Sequence, residues 1–154
     1  MARDKGRRAS LGDSPVNPGD DELRELLAEL RSVAVVGIKA GDRDDAFRVP
    51  RYMQAHGYRI IPVSPKLERV LGEPAVPSVA EIPGPVDLVN LFRDSRHVPG
   101  HVDEILALST LPRAVWMQLG IRHDAAARRL AEAGVAVVQD RCLMVEHDRL
   151  LGGR

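Results

Sequence analysis

Cysteine is almost missing from this chain: Cys142 is the only one among 154 residues. No intramolecular disulfide can form, so nothing in the composition calls for an oxidising compartment. Aromatic residues make up 3% of the chain and the formal net charge is zero. Both argue against a nucleic-acid binder, which presents a basic face and often stacking aromatics. No apolar run approaches the roughly 18 residues of a membrane-crossing helix. The basic start, MARDKGRRAS, has no apolar segment behind it of the kind a secretory signal carries. These absences make the cytoplasm the expected location, with no membrane and no nucleic acid as partner. Motifs of chemistry are missing too: there is no G-x-S-x-G, no P-loop and no paired-cysteine metal signature.

What is present is the balance of a globular domain, 44% apolar and 29% charged, at a length that suits one domain. Residues 1–16, rich in Arg, Ser, Gly and Pro, have nothing to bury and read as a flexible tail in which Arg3, Lys5, Arg7 and Arg8 are solvated. The ordered domain is expected over 17–154. It opens on NPGDDELRELLAELR, with Asn17 as a cap, Pro18 at the first helical position and acids in the first turn. Leu23, Leu26, Leu27 and Leu30 recur at i, i+3, i+4 and i+7 and give that helix one apolar face.

Beyond it the chain alternates. SVAVVG, RIIPVS, VDLVNLF, AVWMQLG and VAVVQ are short and rich in Val and Ile, as strands buried on both faces are. Helical stretches are expected at about Arg48–His56, Pro99–Leu108 and Asp124–Ala133, the last ended by Gly134. The link from Lys66 to Pro85 is broken by four prolines and has room for one short helix near Ser78–Ile82. Strands alternating with helices imply an α/β fold on a five-stranded, mainly parallel sheet with right-handed crossovers. Two prolines strain this pattern. Pro50 requires its helix to begin at Arg48 or Val49, and Pro62 belongs at a strand end or bulge.

In such a sheet ligands bind at the carboxyl ends of the strands, where the strand order reverses. Those ends carry Gly37-Ile38-Lys39, Val63-Ser64-Pro65-Lys66, Phe92-Arg93, Gln118-Leu119-Gly120 and Asp140-Arg141-Cys142. Gly37 allows a close backbone approach, and the loop behind it delivers amides and a helix start, both suited to phosphate oxygens. A lone glycine at a strand-to-helix turn is also common without any ligand. The dinucleotide fingerprint fails twice: the first loop reads GIKAG, and no acid follows the second strand. An acid there would repel an extra ribose phosphate, whereas Ser64 and Lys66 would accept one.

SVAVVGIK, VPRYMQAHGYRIIPVSP, VPSVAEIPGPVDLVNLFR, AVWMQLGI and AGVAVVQDRCLMVEH, in this order, resemble the small single-domain CoA-binding protein family. Its Rossmann-like three-layer fold is similar to the N-terminal domain of the succinyl-CoA synthetase alpha chain. The resemblance covers about residues 22–150. It implies coenzyme A or an acyl-CoA along the strand edge, with Gly37, Ile38 and Lys39 at the phosphates and Val63, Ser64 and Pro65 at the adenosine. Arg93, after Phe92, pairs with a phosphate on this reading, and Gln118 and Gly120 border the other side. Two departures stand out. The family's Pro-Val-Asn-Pro is here Pro-Val-Ser-Pro, and its first-loop serine gives way to a loop holding Asp42, Asp44 and Asp45, which Lys39 and Arg43 are expected to offset.

The resemblance implies a binding module that acts as carrier or sensor for a CoA-type molecule, with no catalytic set. The further domains that carry chemistry in the synthetases exceed this length. Two other readings compete: an NAD(P)-dependent or acyl-transfer enzyme using the same crevice, and a protein-interaction module with a vestigial pocket. His97, His101 and Glu104 have the spacing of a metal site, but Pro99 and Gly100 break the helix between them, which favours surface histidines and no metal. Cys142 is either an inert core thiol or a partner for the CoA thiol, and Trp116 is either core or a stacking surface.

Overall fold

The computed structural model describes residues 16–152. The tail expected over residues 1–16 lies outside them except for Val16, which forms a parallel bridge to Val137. In chain order the elements are α1 (Asp20–Glu29), β1 (Ser32–Val36), α2 (Asp45–Ala55), β2 (Arg59–Val63), β3 (Arg69–Val70), β4 (Glu73–Pro74), β5 (Leu88–Leu91), α3 (Val98–Leu106), β6 (Ala114–Met117), α4 (Asp124–Glu132), β7 (Ala136–Val138) and α5 (Leu143–Leu151). Five strands form one sheet in the order β2-β1-β5-β6-β7, and every pairing in it is parallel. The chain therefore winds outward from β1 to β2, then crosses back to lay β5 on the other side of β1. That reversal puts the topological switch point between β1 and β5.

Alternation along the strands builds two cores. Val33 and Val35 pack with Leu23, Leu27, Val49, Met53 and Leu143 of α1, α2 and α5. Ala34 and Val36 pack with Val98, Val102, Ile105 and Leu130 of α3 and α4. Both faces are covered by helices, which is why the strands read as unbroken apolar runs. This is the expected Rossmann-like three-layer arrangement. Among the described residues no helix is long and apolar enough to cross a membrane.

Local chemistry moves several boundaries. α2 begins at Asp45, three residues before Arg48, because the Asp44 carbonyl already accepts from the amides of Phe47 and Arg48. Pro50 therefore lies past the first turn. The Ala46 carbonyl, which the missing amide of Pro50 would have served, accepts from Lys39 N at 3.2 Å instead. Pro62 sits inside β2, not at its end or at a bulge. β2 is an edge strand, and the face on which Pro62 lacks a donor is the outer one, where its carbonyl accepts from Val76 N at 3.0 Å.

Asn17 is not the cap of α1. Gly19 holds that position, while Asn17 donates its amide to Val137 O at 2.6 Å and accepts from Gln139 N at 2.8 Å through Oδ1. The proline-broken link holds the antiparallel ribbon β3–β4 and a 3-10 turn at Val79–Glu81, the latter where a short helix was expected. α5 was not anticipated at all.

Candidate functional site

At the switch point the backbone turns sharply. Gly37 has φ +84°, and its amide donates to Val63 O at 3.2 Å while Phe92 N donates to Val36 O at 2.9 Å, so both neighbouring strands are tied to this corner. A Cβ on residue 37 would stand 2.6 Å from Phe92 O and 3.0 Å from the Arg93 side chain. The chain's own packing thus requires glycine here, whether or not a ligand comes close. Above the corner opens a cleft of about 110 Å³, walled by Val63, Pro65, Pro77 and Val79 and edged by Arg93, with His101 and Glu104 reaching it from α3.

Of the residues singled out in the sequence, Gly37, Val63, Pro65 and Arg93 meet in this cleft. Ile38 points into the core at 2% exposure and offers only its backbone, whose amide meets no acceptor among the described residues. Lys39 and Lys66 are exposed beside it. Ser64 is buried, and its Oγ accepts from the amides of Lys66 and Leu67 at 3.2 and 3.1 Å, so the hydroxyl holds the turn after β2. Phe92 packs against the α2 side. Gln118 is buried, its Oε1 accepting from Asn90 Nδ2 at 3.2 Å and from Leu143 N at 2.9 Å at the start of α5. Gly120 donates to Asp140 Oδ1 at 2.6 Å beyond β6. Gln118 and Gly120 do not line the cleft.

Sequence reasoning missed Pro77, Val79, His101 and Glu104 as lining residues. The first two come from the irregular link, and the spacing of the histidine and glutamate in sequence points only to a metal site. His97 is exposed, whereas His101 Nδ1 lies 3.1 Å from Glu104 Oε1. Among the described residues no three potential metal ligands come together.

The aspartates of the first loop are offset by different cations than expected. Arg48 pairs with Asp45 and donates to Asp42 O at 2.9 Å, and Arg51 lies 3.8 Å from the Asp42 carboxylate. Helix α2 thus answers two of the three loop carboxylates. Lys39, Arg43 and Arg93 have no carboxylate partner among the described residues, and of the three Arg93 edges the cleft while Lys39 and Arg43 lie on the loop that follows Gly37. Exposed ion pairs of this kind contribute little stability.

A larger hollow of about 450 Å³ lies beyond β6 and β7, beside Cys142, with Leu119 and Val145 exposed on it. It suits an anion poorly despite its size. Arg149 there is engaged by Asp20 at 2.8 and 2.9 Å and by Glu146 at 2.7 Å, and that guanidinium holds the Asp20 carboxyl below the usual carboxylate range. Trp116 is core, fully buried, with Nε1 donating to Arg141 O at 2.8 Å. Cys142 is half-buried and opens α5.

Comparison with known proteins agrees with this architecture. Residues 31–148 match the model of the CoA binding domain. The chain is 41% identical over 133 residues to the uncharacterized protein YneT of Bacillus subtilis (strain 168), covering 85% of this chain and 96% of that one. A solved structure from Thermus thermophilus, cell-free ID.343, is 43% identical with a TM-score of 0.82, covering 86% of this chain and 99% of that one. The dinucleotide forming acetyl-coenzyme A synthetase 1 of Ca. Korarchaeum cryptofilum, in complex with phosphate and ADP, shares the fold at 18% identity and a TM-score of 0.62, over 74% of this chain and 27% of that one. A parallel sheet with its cleft at the β1/β5 reversal, matched by the family model over most of its length, makes this chain a member of the CoA binding domain family.

Proposed function

We propose that the protein binds coenzyme A or an acyl-CoA at the β1/β5 cleft without transforming it, and serves as a carrier or sensor of that ligand. The observation that carries this reading is the separation of charge around the first loop: Arg48 and Arg51 answer two of its three aspartates, leaving Lys39, Arg43 and Arg93 for phosphate oxygens. The amides of Ile38 and the first turn of α2 add donors that suit a pyrophosphate. Lys66, beside the turn that Ser64 holds, suits a ribose 3′-phosphate, and β2 ends without the acid that a dinucleotide's ribose would want. On this reading Gly37, Ile38, Lys39, Val63, Pro65, Lys66 and Arg93 attend the ligand. Phe92 and Ser64 support them, and Gln118 and Gly120 shape the far end of the sheet.

The test is thermal unfolding with CoA, 3′-dephospho-CoA, acetyl-CoA and NAD in parallel, since a ligand that binds only the native state stabilises it. CoA at a hundredfold excess over its dissociation constant is expected to add about 2.7 kcal/mol, and less without the 3′-phosphate. Stabilisation by NAD alone would favour the nicotinamide-enzyme reading. No shift with any of the four would leave a protein-interaction module.

A further inference from the structure

One buried polar atom in the cleft has no partner among the described residues, and it belongs to a residue absent from the site as read in the sequence. His101 Nε2 is buried and makes no hydrogen bond among the described residues. Its pairing sets the tautomer of the neutral ring. Nδ1 faces Glu104 Oε1 at 3.1 Å, and a carboxylate only accepts, so the neutral ring carries its proton on Nδ1 and leaves Nε2 as a bare acceptor. A buried acceptor left empty is a cost that native structures meet with a protein group, a water or a ligand.

The surroundings narrow the choice. The cleft is about 110 Å³, well below the roughly 300 Å³ at which whole-ligand pockets begin, so it takes one part of a nucleotide. Val63, Pro65, Pro77 and Val79 give it aliphatic walls, which suit the face of a base, while Arg93, His101 and Glu104 add polar groups to its lining. Arg93 lies at its edge, where a phosphate would sit. A base meets such an acceptor with an exocyclic amino group or a ring N–H, and on the CoA reading the base is adenine, whose donor is its exocyclic amino group.

We propose that His101 is the residue that reads the base of the ligand, with Nε2 accepting from the amino group of adenine and Glu104 positioning the ring. The inference rests on the CoA reading and adds a specificity element to it. A base with a carbonyl at that position would set two acceptors against each other.

The test compares binding of adenosine 3′,5′-bisphosphate and inosine 3′,5′-bisphosphate by isothermal titration, with CoA and pantetheine alongside. The unmodified protein is expected to prefer the adenosine compound by about tenfold or more, as sites built around one hydrogen bond do. His101→Phe, which keeps a ring and removes the lone pair, is expected to bind both compounds alike. His101→Gln, whose amide can accept or donate, is expected to narrow the preference and serves if the phenylalanine variant folds poorly. Equal affinity in the unmodified protein, or a preference that survives both substitutions, overturns the role of His101 while leaving CoA binding intact. Binding of pantetheine but not of the bisphosphates also overturns it. Failure of CoA itself to bind overturns both readings.

Discussion

At the scale of single residues, positions that look alike in sequence do different work. Gly37 was singled out for the ligand, yet φ +84° and a Phe92 carbonyl 2.6 Å from any Cβ make it a requirement of the strand corner. Gly37→Ala is therefore expected to lower unfolding free energy by about 2 kcal/mol or more, read by urea denaturation without ligand. His147 is a second case. It is buried beside Tyr52, whose hydroxyl lies 2.9 Å from Nδ1, and burial, then the nearby His56, push its pKa below the ordinary 6.5. Because the folded state resists protonation, the unfolded chain binds the proton first. Stability is full above 6.5 and falls as pH drops from there through the depressed folded value. Denaturation between about pH 5 and 8 should show this slope, and His147→Gln should flatten it.

Among the elements, α5 and α2 depend on contacts that do not announce themselves locally. Gln118 reads in sequence as a ligand contact after the fourth strand, but its Oε1 receives Leu143 N at 2.9 Å and so fixes the start of α5. Gln118→Leu is expected to cost about 1–3 kcal/mol by leaving that amide and Asn90 unserved, with CoA affinity little changed. Unfolding and titration of one sample separate the two effects. α5 escaped the sequence reading because its buried positions are Leu143, His147 and Leu150, and a histidine in the middle of the stripe hides the apolar period. In α2, Pro50 frees the Ala46 carbonyl that Lys39 N then occupies at 3.2 Å, so a helix defect anchors the first loop. Pro50→Ala gives that carbonyl a competing donor within the helix. The expected result is faster hydrogen exchange at the Lys39 amide.

For the whole molecule, the strands and the Leu23–Leu30 stripe were legible because burial on both faces or on one leaves a regular apolar pattern. The strand ends followed from the same runs, but their order, and with it the β1/β5 corner, is set by the topology. The rest of the cleft did not follow from them either, since Pro77, Val79 and His101 come from segments whose meeting is set by topology and leaves no local period. A ligand there would touch the turns after β1 and β2, the irregular link and α3 at once. Amide exchange on adding CoA should therefore slow together across 37–40, 64–79 and the start of α3, and protection of one segment alone would contradict a shared cleft. The edges of the sheet hold a last consequence. Val76 occupies the outer side of β2 around Pro62, and Val16 with Asn17 runs beside Val137 of β7. Among the described residues both borders are thus partly covered, so two copies that merged their sheets edge to edge there would first have to peel these segments away.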